Sequence, residues 1–388
     1  MQNNDLRNVQ RYAVGKEADR VFIAFIASIG LVSGARRVLL YELAGQYIRL
    51  VKTFDVTRTD TPNRINSLGF ISLLVYIVIS ALSMEFASNY IICFVFFVLA
   101  FICMFLFALF LKSFFLYQLS CPIGIAWDEA NKTFVVLYPD FLYYRLHIAG
   151  DIEKNFLDES HYKFTWWVTR YAIRISTILA SLLLIALPIT YAMASIPEFF
   201  SQIYDKIEMV LILMHFVFIA LLIADLPFLF LNNRVTSYAC FTIHRHDVLI
   251  IRSGIIFNGI MASNFATGGT RKIGKFFMWD TPRKILAHKN NIIIGGTRKV
   301  VMLNEYKKSF RAKLGLLEYI VGIHIYNQKP LICTNKAIYI GDLQDSELQK
   351  IYEWSKSNRK NPIIATIVHN SKIYGIYPDK SVETAILA

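Results

Sequence analysis

The 388-residue chain has little charge and few cysteines. Charged residues make up 18% of it, where an ordinary soluble domain carries roughly a quarter. That shortage, with 55% apolar residues, argues against a soluble cytoplasmic enzyme and against a disordered chain. The five cysteines, Cys93, Cys103, Cys121, Cys240 and Cys333, include no CxxC pair. Their odd number and wide spacing argue against a disulfide framework and fit a reducing compartment. HExxH, GxSxG, Walker and dinucleotide fingerprints are missing, so neither enzymatic activity nor a cofactor is expected. The polar, charged start of the chain lacks a small-residue cleavage site, so no cleavable signal peptide is expected.

Apolar residues are plentiful, and they are bunched. Residues 68–84, 90–111, 171–196 and 209–231 form runs close to the roughly 20 positions that span a bilayer. Short links pair them into two helical hairpins. Residues 21–51 are apolar but interrupted by Arg36 and Arg37, and read as one long amphipathic helix, with a fifth span as the rival. The turn within the first hairpin carries no Lys or Arg and that within the second only Lys206, which puts both termini and the middle loop on the cytoplasmic side. The expected fold class is an α-helical membrane protein with four transmembrane helices in two hairpins, plus a C-terminal α+β module that is mainly antiparallel β. The expected domains are 1–66, 67–119, 120–165, 166–231 and 232–388. The expected location is the bacterial inner membrane, with multiple passes.

Charge separates the two halves. Residues 1–231 hold 18 Lys and Arg against 18 Asp and Glu; residues 232–388 hold 23 against 10, so the net +13 lies wholly in the second stretch. A basic module suggests an anionic partner. Short strands are predicted at 123–127 and 133–137 around a polar turn, and at 239–243 and 248–251 around another. Further strands are predicted at 275–278, 291–294, 299–303, 323–326, 331–334, 337–340, 363–368 and 373–377. Helical periodicity marks 306–320 and 345–355. Each membrane hairpin followed by a β hairpin suggests two copies of one plan.

Two stretches carry a family resemblance. One is Tyr238-Ala239-Cys240-Phe241-Thr242, a turn, then Leu249-Ile250-Ile251-Arg252-Ser253-Gly254. The other is Leu331-Ile332-Cys333-Thr334 through Ala337-Ile338-Tyr339-Ile340-Gly341, before the helix expected from Asp345. Together they resemble bacterial pleckstrin-homology-like domains that follow transmembrane hairpins. The resemblance implies a binding or assembly module and carries over no catalytic residue.

The sharpest local feature is a repeated pentapeptide, Gly268-Gly269-Thr270-Arg271-Lys272 and Gly295-Gly296-Thr297-Arg298-Lys299. Paired glycines suit tight turns whose N–H groups can face an anion, while Arg and Lys supply charge. Arg271, Lys272, Lys275, Arg298 and Lys299, with Arg283, Lys284 and Lys289 nearby, are therefore candidates for anion or headgroup binding, against two ordinary basic hairpin tips. Lys307, Lys308 and Arg311 form a second basic cluster on the expected helix. Lys112, His215 and Asp225 are polar groups within the apolar runs and line a possible intramembrane path. His244 and His246 lack further ligands at metal-site spacing, so no metal is expected. The expected function is a polytopic membrane subunit presenting its basic module to lipid headgroups or an acidic protein. A channel through Lys112, His215 and Asp225 is the alternative, and a membrane tether for nucleic acid the second. Expected partners are membrane lipids, and further copies of the chain or other subunits of a larger membrane complex.

Overall fold

The computed structural model describes residues 6, 9–29, 35–58, 120–160, 163, 167, 238–253, 258–265, 267–268, 270–276, 280–289, 291–303, 310–314, 318–341, 348–355, 357 and 361–387. Nearly all of them lie in strands or the turns that join strands. The first sheet is β1 (Val9–Glu17), β2 (Arg20–Ile29), β3 (Ala35–Ala44) and β4 (Tyr47–Asp55); the second is β5 (Gly124–Asp128), β6 (Thr133–Leu137), β7 (Leu142–His147) and β8 (Ile152–Phe156). The third is β9 (Tyr238–His244), β10 (Asp247–Arg252), β11 (Asn258–Asn264) and β12 (Thr270–Phe276). The fourth is β13 (Lys284–His288), β14 (Asn291–Gly295), β15 (Lys299–Leu303) and β16 (Phe310–Lys313). The fifth is β17 (Ile320–Tyr326), β18 (Lys329–Thr334), β19 (Ala337–Gly341) and β20 (Leu348–Glu353). The sixth is β21 (Ala365–His369), β22 (Lys372–Ile376) and β23 (Val382–Ile386). Each sheet is an antiparallel meander in chain order.

Side-chain alternation explains how the sheets assemble. Successive residues of a strand point to opposite faces. In β2, Phe22, Ala24 and Ile26 pack with Ile125, Phe134 and Val136 of the second sheet. Their neighbours Val21, Ile23 and Phe25 pack with Ala365, Ile367 and Ile376 of the sixth. Both faces of this strand are therefore dry, and the sequence reads as unbroken apolar residues. Fully burying a large apolar side chain contributes about 1.5–3 kcal/mol. Four more clusters join sheets two and three, three and four, four and five, and five and six. Six interfaces among six sheets close a ring, which makes this a six-bladed β-propeller. The first strand of each blade is innermost, and β1, β5, β9, β13, β17 and β21 follow one another in contact.

The ring closes without a shared strand. Ile48 N–H donates to the Lys380 carbonyl at 3.3 Å, and Val382 N–H to that of Gln46 at 3.1 Å. Where β4 ends, a buried ion pair joins blades one and two. Arg58 Nη1 lies 2.7 Å from Asp140 Oδ2, and both side chains are fully buried. The guanidinium also stands 5.4 Å from the Tyr138 ring centroid, and the Tyr138 hydroxyl donates to the Val56 carbonyl at 2.6 Å.

These findings correct several expectations. The helix read over 21–51 is β2, β3 and most of β4, because its apolar run serves two faces of a strand. The described residues of the helices expected at 306–320 and 345–355 form β16, the start of β17, and β20, so among the described residues the tail is a set of blades in place of the expected α+β module. The pleckstrin-like stretches are β9–β10 of blade three and β18–β19 of blade five; any strand–turn–strand unit ending in glycine produces that pattern. The runs read as membrane spans lie outside the described residues. Among the described residues, no helix is long and apolar enough to cross a membrane. Helical conformation there is limited to Leu6, Ser120, Glu159, Ser160, Lys163 and Trp167. The four-helix membrane fold, and with it the expected polytopic subunit, channel or nucleic-acid tether in the inner membrane, is replaced by a propeller. The chain forms two compact units: Met1–Asn63, Leu119–Tyr162 and Ser237–Ala388 make the propeller, and Arg64–Gln118 with Lys163–Thr236 make the other.

Removing one partner of the buried pair leaves an uncompensated charge. Asp140→Ala is expected to lower unfolding free energy by about 3–5 kcal/mol, read from urea denaturation. A loss below about 1 kcal/mol, the scale of an exposed pair, would show that the pair does not join the blades.

Candidate functional site: the propeller hub

The innermost strands of five blades line a central cavity of about 240 Å³. Its walls are mixed in polarity, and their apolar part is supplied by residues such as Ala13, Ile125, Trp127, Phe241 and Ile323. Its polar residues come from the same strands: Arg11 and Tyr12 from β1, Cys240 and Thr242 from β9, Lys284 from β13, and His324 from β17, with Arg283 just before β13. Among the described residues, the lining contains no Asp or Glu. This imbalance is the main property of the hub.

A hydrogen-bonded cluster fixes one wall. The Tyr12 hydroxyl donates to the Val321 carbonyl at 3.0 Å and accepts from the Thr366 N–H at 3.1 Å. The Thr366 hydroxyl lies 2.8 Å from His324 Nε2. Blades one, five and six thus meet at one tyrosine. Gly322 makes room for this: a Cβ there would collide with Thr366 Oγ1 and the Tyr12 hydroxyl. The Tyr12 phenol is pushed well above its ordinary range by burial, with the Thr366 hydrogen bonds opposing.

The cations sit around that cluster. Arg11 Nη1 donates to the Pro122 carbonyl at 3.0 Å, and the Lys284 Nζ lies 3.7 Å from the Tyr12 ring centroid, a cation–π contact. Burial pulls Lys284 down to about 7; the Arg11 charge adds to this and Cys240 opposes it. Arg11 is lowered as well, first by burial, with Arg283 contributing. Burial lowers His324 to about 4, with Lys284 and Lys16 adding repulsion. Burial pushes the Cys240 thiol up to about 12, although Arg11 and Lys284 pull the other way. Such a thiol stays protonated at neutral pH and is a weak nucleophile.

The residues singled out from sequence lie elsewhere. Arg271, Lys272 and Lys275 are exposed on β12, the outermost strand of blade three. Arg271 Nη2 lies 3.7 Å from Asp247 Oδ2. Arg298 is exposed in the β14–β15 turn, where its N–H donates to Asp280 at 2.5 Å, and Lys299 begins β15. Gly268 has φ +63° between β11 and β12, Gly295 ends β14, and the Gly296 N–H donates to the Lys299 carbonyl at 2.9 Å across the next turn. Strand direction alternates in a meander, so a third turn and a second turn fall at opposite ends of their sheets. Arg311 lies on β16, opposite Val301. Lys307, Lys308, Lys112, His215 and Asp225 lie outside the described residues. His244 ends β9 and pairs with Asp247 across the turn that holds His246. Among the described residues, no group of three or more His, Cys, Asp or Glu could hold a metal.

Sequence reasoning met Lys284 only as part of a basic neighbourhood, and missed Arg11, Tyr12 and His324. Of these only His324 is a lone polar residue within a short apolar strand; Arg11 and Tyr12 adjoin in β1, which also holds Gln10, Lys16 and Glu17.

No family model and no curated protein matches the chain. Several solved structures are similar at low identity. A virginiamycin B lyase from Staphylococcus aureus, solved with quinupristin, is 8% identical, with 100% of this chain and 97% of that one covered and a TM-score of 0.42. Chaetomium thermophilum Sqt1, bound to the N-terminus of ribosomal protein L10, is 10% identical over 97% and 71%, with a TM-score of 0.41. The computationally designed Ika4 protein is 11% identical over 39% and 91%, with a TM-score of 0.31. At these scores the propeller is argued from its own strand pairing and blade interfaces.

His324 gives the hub a signature in stability. Its folded value of about 4 lies below the ~6.5 of free histidine, so its contribution is complete above pH 6.5 and is lost as pH falls toward 4. Urea unfolding is expected to show a loss on the order of 2–3 kcal/mol over that window, and His324→Gln should remove this share of the pH dependence. An unchanged profile in that variant would assign the loss to other groups.

Proposed function

We propose that this propeller is a binding module whose hub takes a small carboxylate anion. The supporting observation is that Arg11 and Lys284 line one cavity in which no described residue is an acid. A cation removed from water is costly unless an opposite charge accompanies it. Here the counter-charge comes with the ligand. Arg11 offers a planar fork suited to a carboxylate, and Lys284 a point charge on the same cavity. Apolar residues such as Ala13, Ile125 and Phe241 share the walls with the cations, a mixture that suits a compact organic anion with both a charged and an apolar part. The hub groups bind and orient, and no enzymatic step is assigned to this function.

Titration calorimetry with the full chain and lactate tests this. Saturable binding is expected, weakened at least about tenfold by Arg11→Gln or Lys284→Met, in line with the 2–5 kcal/mol seen when one partner of a buried charge pair is truncated. Each variant removes a partly buried charge, so the fold should survive. Lys284 titrates near 7 and its protonated form attracts the anion. Affinity should therefore strengthen as pH falls through 7 and weaken above it, by up to about tenfold per pH unit. Binding that ignores both residues and pH would refute the reading.

A further inference from the structure

We infer that Lys284 captures the carbonyl carbon of a 2-oxo acid as an imine, while Arg11 holds that acid's carboxylate in the same cavity. This rests on the anion-binding reading of the hub and narrows its ligand class. The geometry supports it in three ways. Lys284 projects from the innermost strand β13 into the cavity, with its Nζ against the Tyr12 ring and no carboxylate partner among the described residues. Arg11 and Lys284 line one cavity of about 240 Å³, room for a ligand of few heavy atoms. Among the described residues, the lining holds no Asp or Glu that would keep this amine protonated as an ion pair.

The chemistry needs a free amine. Lysine becomes nucleophilic at neutral pH when burial and a neighbouring cation disfavour its charged form. Both causes act on Lys284: burial is the largest, and the Arg11 charge lowers it further, while Cys240 opposes them. The groups facing it are Arg11 and Tyr12 on β1, Cys240 on β9 and His324 on β17, with Arg283 beside it in the chain. Cys240 and Tyr12 are held protonated and His324 neutral, so none of them supplies a negative charge at neutral pH. The Lys284 lone pair forms the C–N bond, and the carbonyl π pair moves to oxygen, which takes up a proton. The carbinolamine then loses its oxygen as water while nitrogen gives up its remaining proton, leaving C=N. Amine plus ketone gives imine plus water, with no oxidant or reductant. Because imine formation needs neutral Lys284 and simple anion binding needs charged Lys284, the two have opposite pH dependence.

The test treats the full chain with pyruvate and sodium cyanoborohydride, followed by intact-mass measurement and peptide mapping, with lactate titrated in parallel. The expected result is one reduced pyruvyl group per chain, mapped to Lys284 and more abundant above pH 7 than below it. Excess lactate should suppress the label, and Arg11→Gln should reduce it at least about tenfold. If lactate binds but Lys284 stays unlabelled, the imine is overturned and the anion site stands. Label scattered over exposed lysines such as Lys272 and Lys275, without enrichment at Lys284, also overturns it. Undiminished labelling of Lys284 in Arg11→Gln overturns the assignment of the carboxylate to Arg11. If neither compound binds nor labels, both readings fall.

Discussion

Each blade of this protein must be dry on both faces, and the rest of the structure depends on that requirement. A four-stranded sheet whose alternate side chains are all apolar cannot be stable alone, since one face would stay in water. The β2 strand shows this most plainly: Val21, Ile23 and Phe25 pack toward the last blade, and Phe22, Ala24 and Ile26 toward the second. A linear stack of such sheets would leave two apolar ends. Bending the stack into a ring removes both.

Ring closure in turn creates the hub. Six innermost strands converge there, and their backbones are already committed to the sheets. Only side chains can decide the character of the space between them. Most are aliphatic or aromatic, which lowers the local dielectric and magnifies any charge that remains. Arg11 and Lys284 stand in that setting, with Tyr12 serving both as a cation–π platform and as a hydrogen-bond post for Val321 and Thr366. The surface clusters Arg271-Lys272 and Arg298-Lys299 are more numerous but less potent, because water and counter-ions screen them.

Local strand patterns were legible in the sequence, and the architecture was not. The strand expected at 299–303 matches β15, and those at 133–137 and 337–340 fall on β6 and β19. Turn chemistry at Asp128–Lys132 and at the glycine pairs made these visible. Residues 21–51 failed for a physical reason: an apolar run buried on both faces has no period of two, and looks the same as a buried helix. In β20, the exposed Gln349, Lys350 and Ile351 sit beside partly buried Leu348 and Tyr352, a spacing that imitates a helix on an outermost strand. The hub was harder still. Nothing in the local sequence distinguishes Lys284 from Lys289, or Arg11 from Arg20. What separates them is that β1 and β13 are first in their blades, which is a property of topology.

The seam between the last blade and the first differs from the other five. Successive blades are tethered by the chain itself, whereas these two belong to opposite ends of the propeller unit and are held by contact alone. Any breathing of the ring therefore has its natural parting line there. The Tyr12–Thr366 hydrogen bonds lie on that line, and Lys284 rests against the same tyrosine. One side chain, Tyr12, therefore belongs both to the wall of the hub and to the fastening between the last blade and the first.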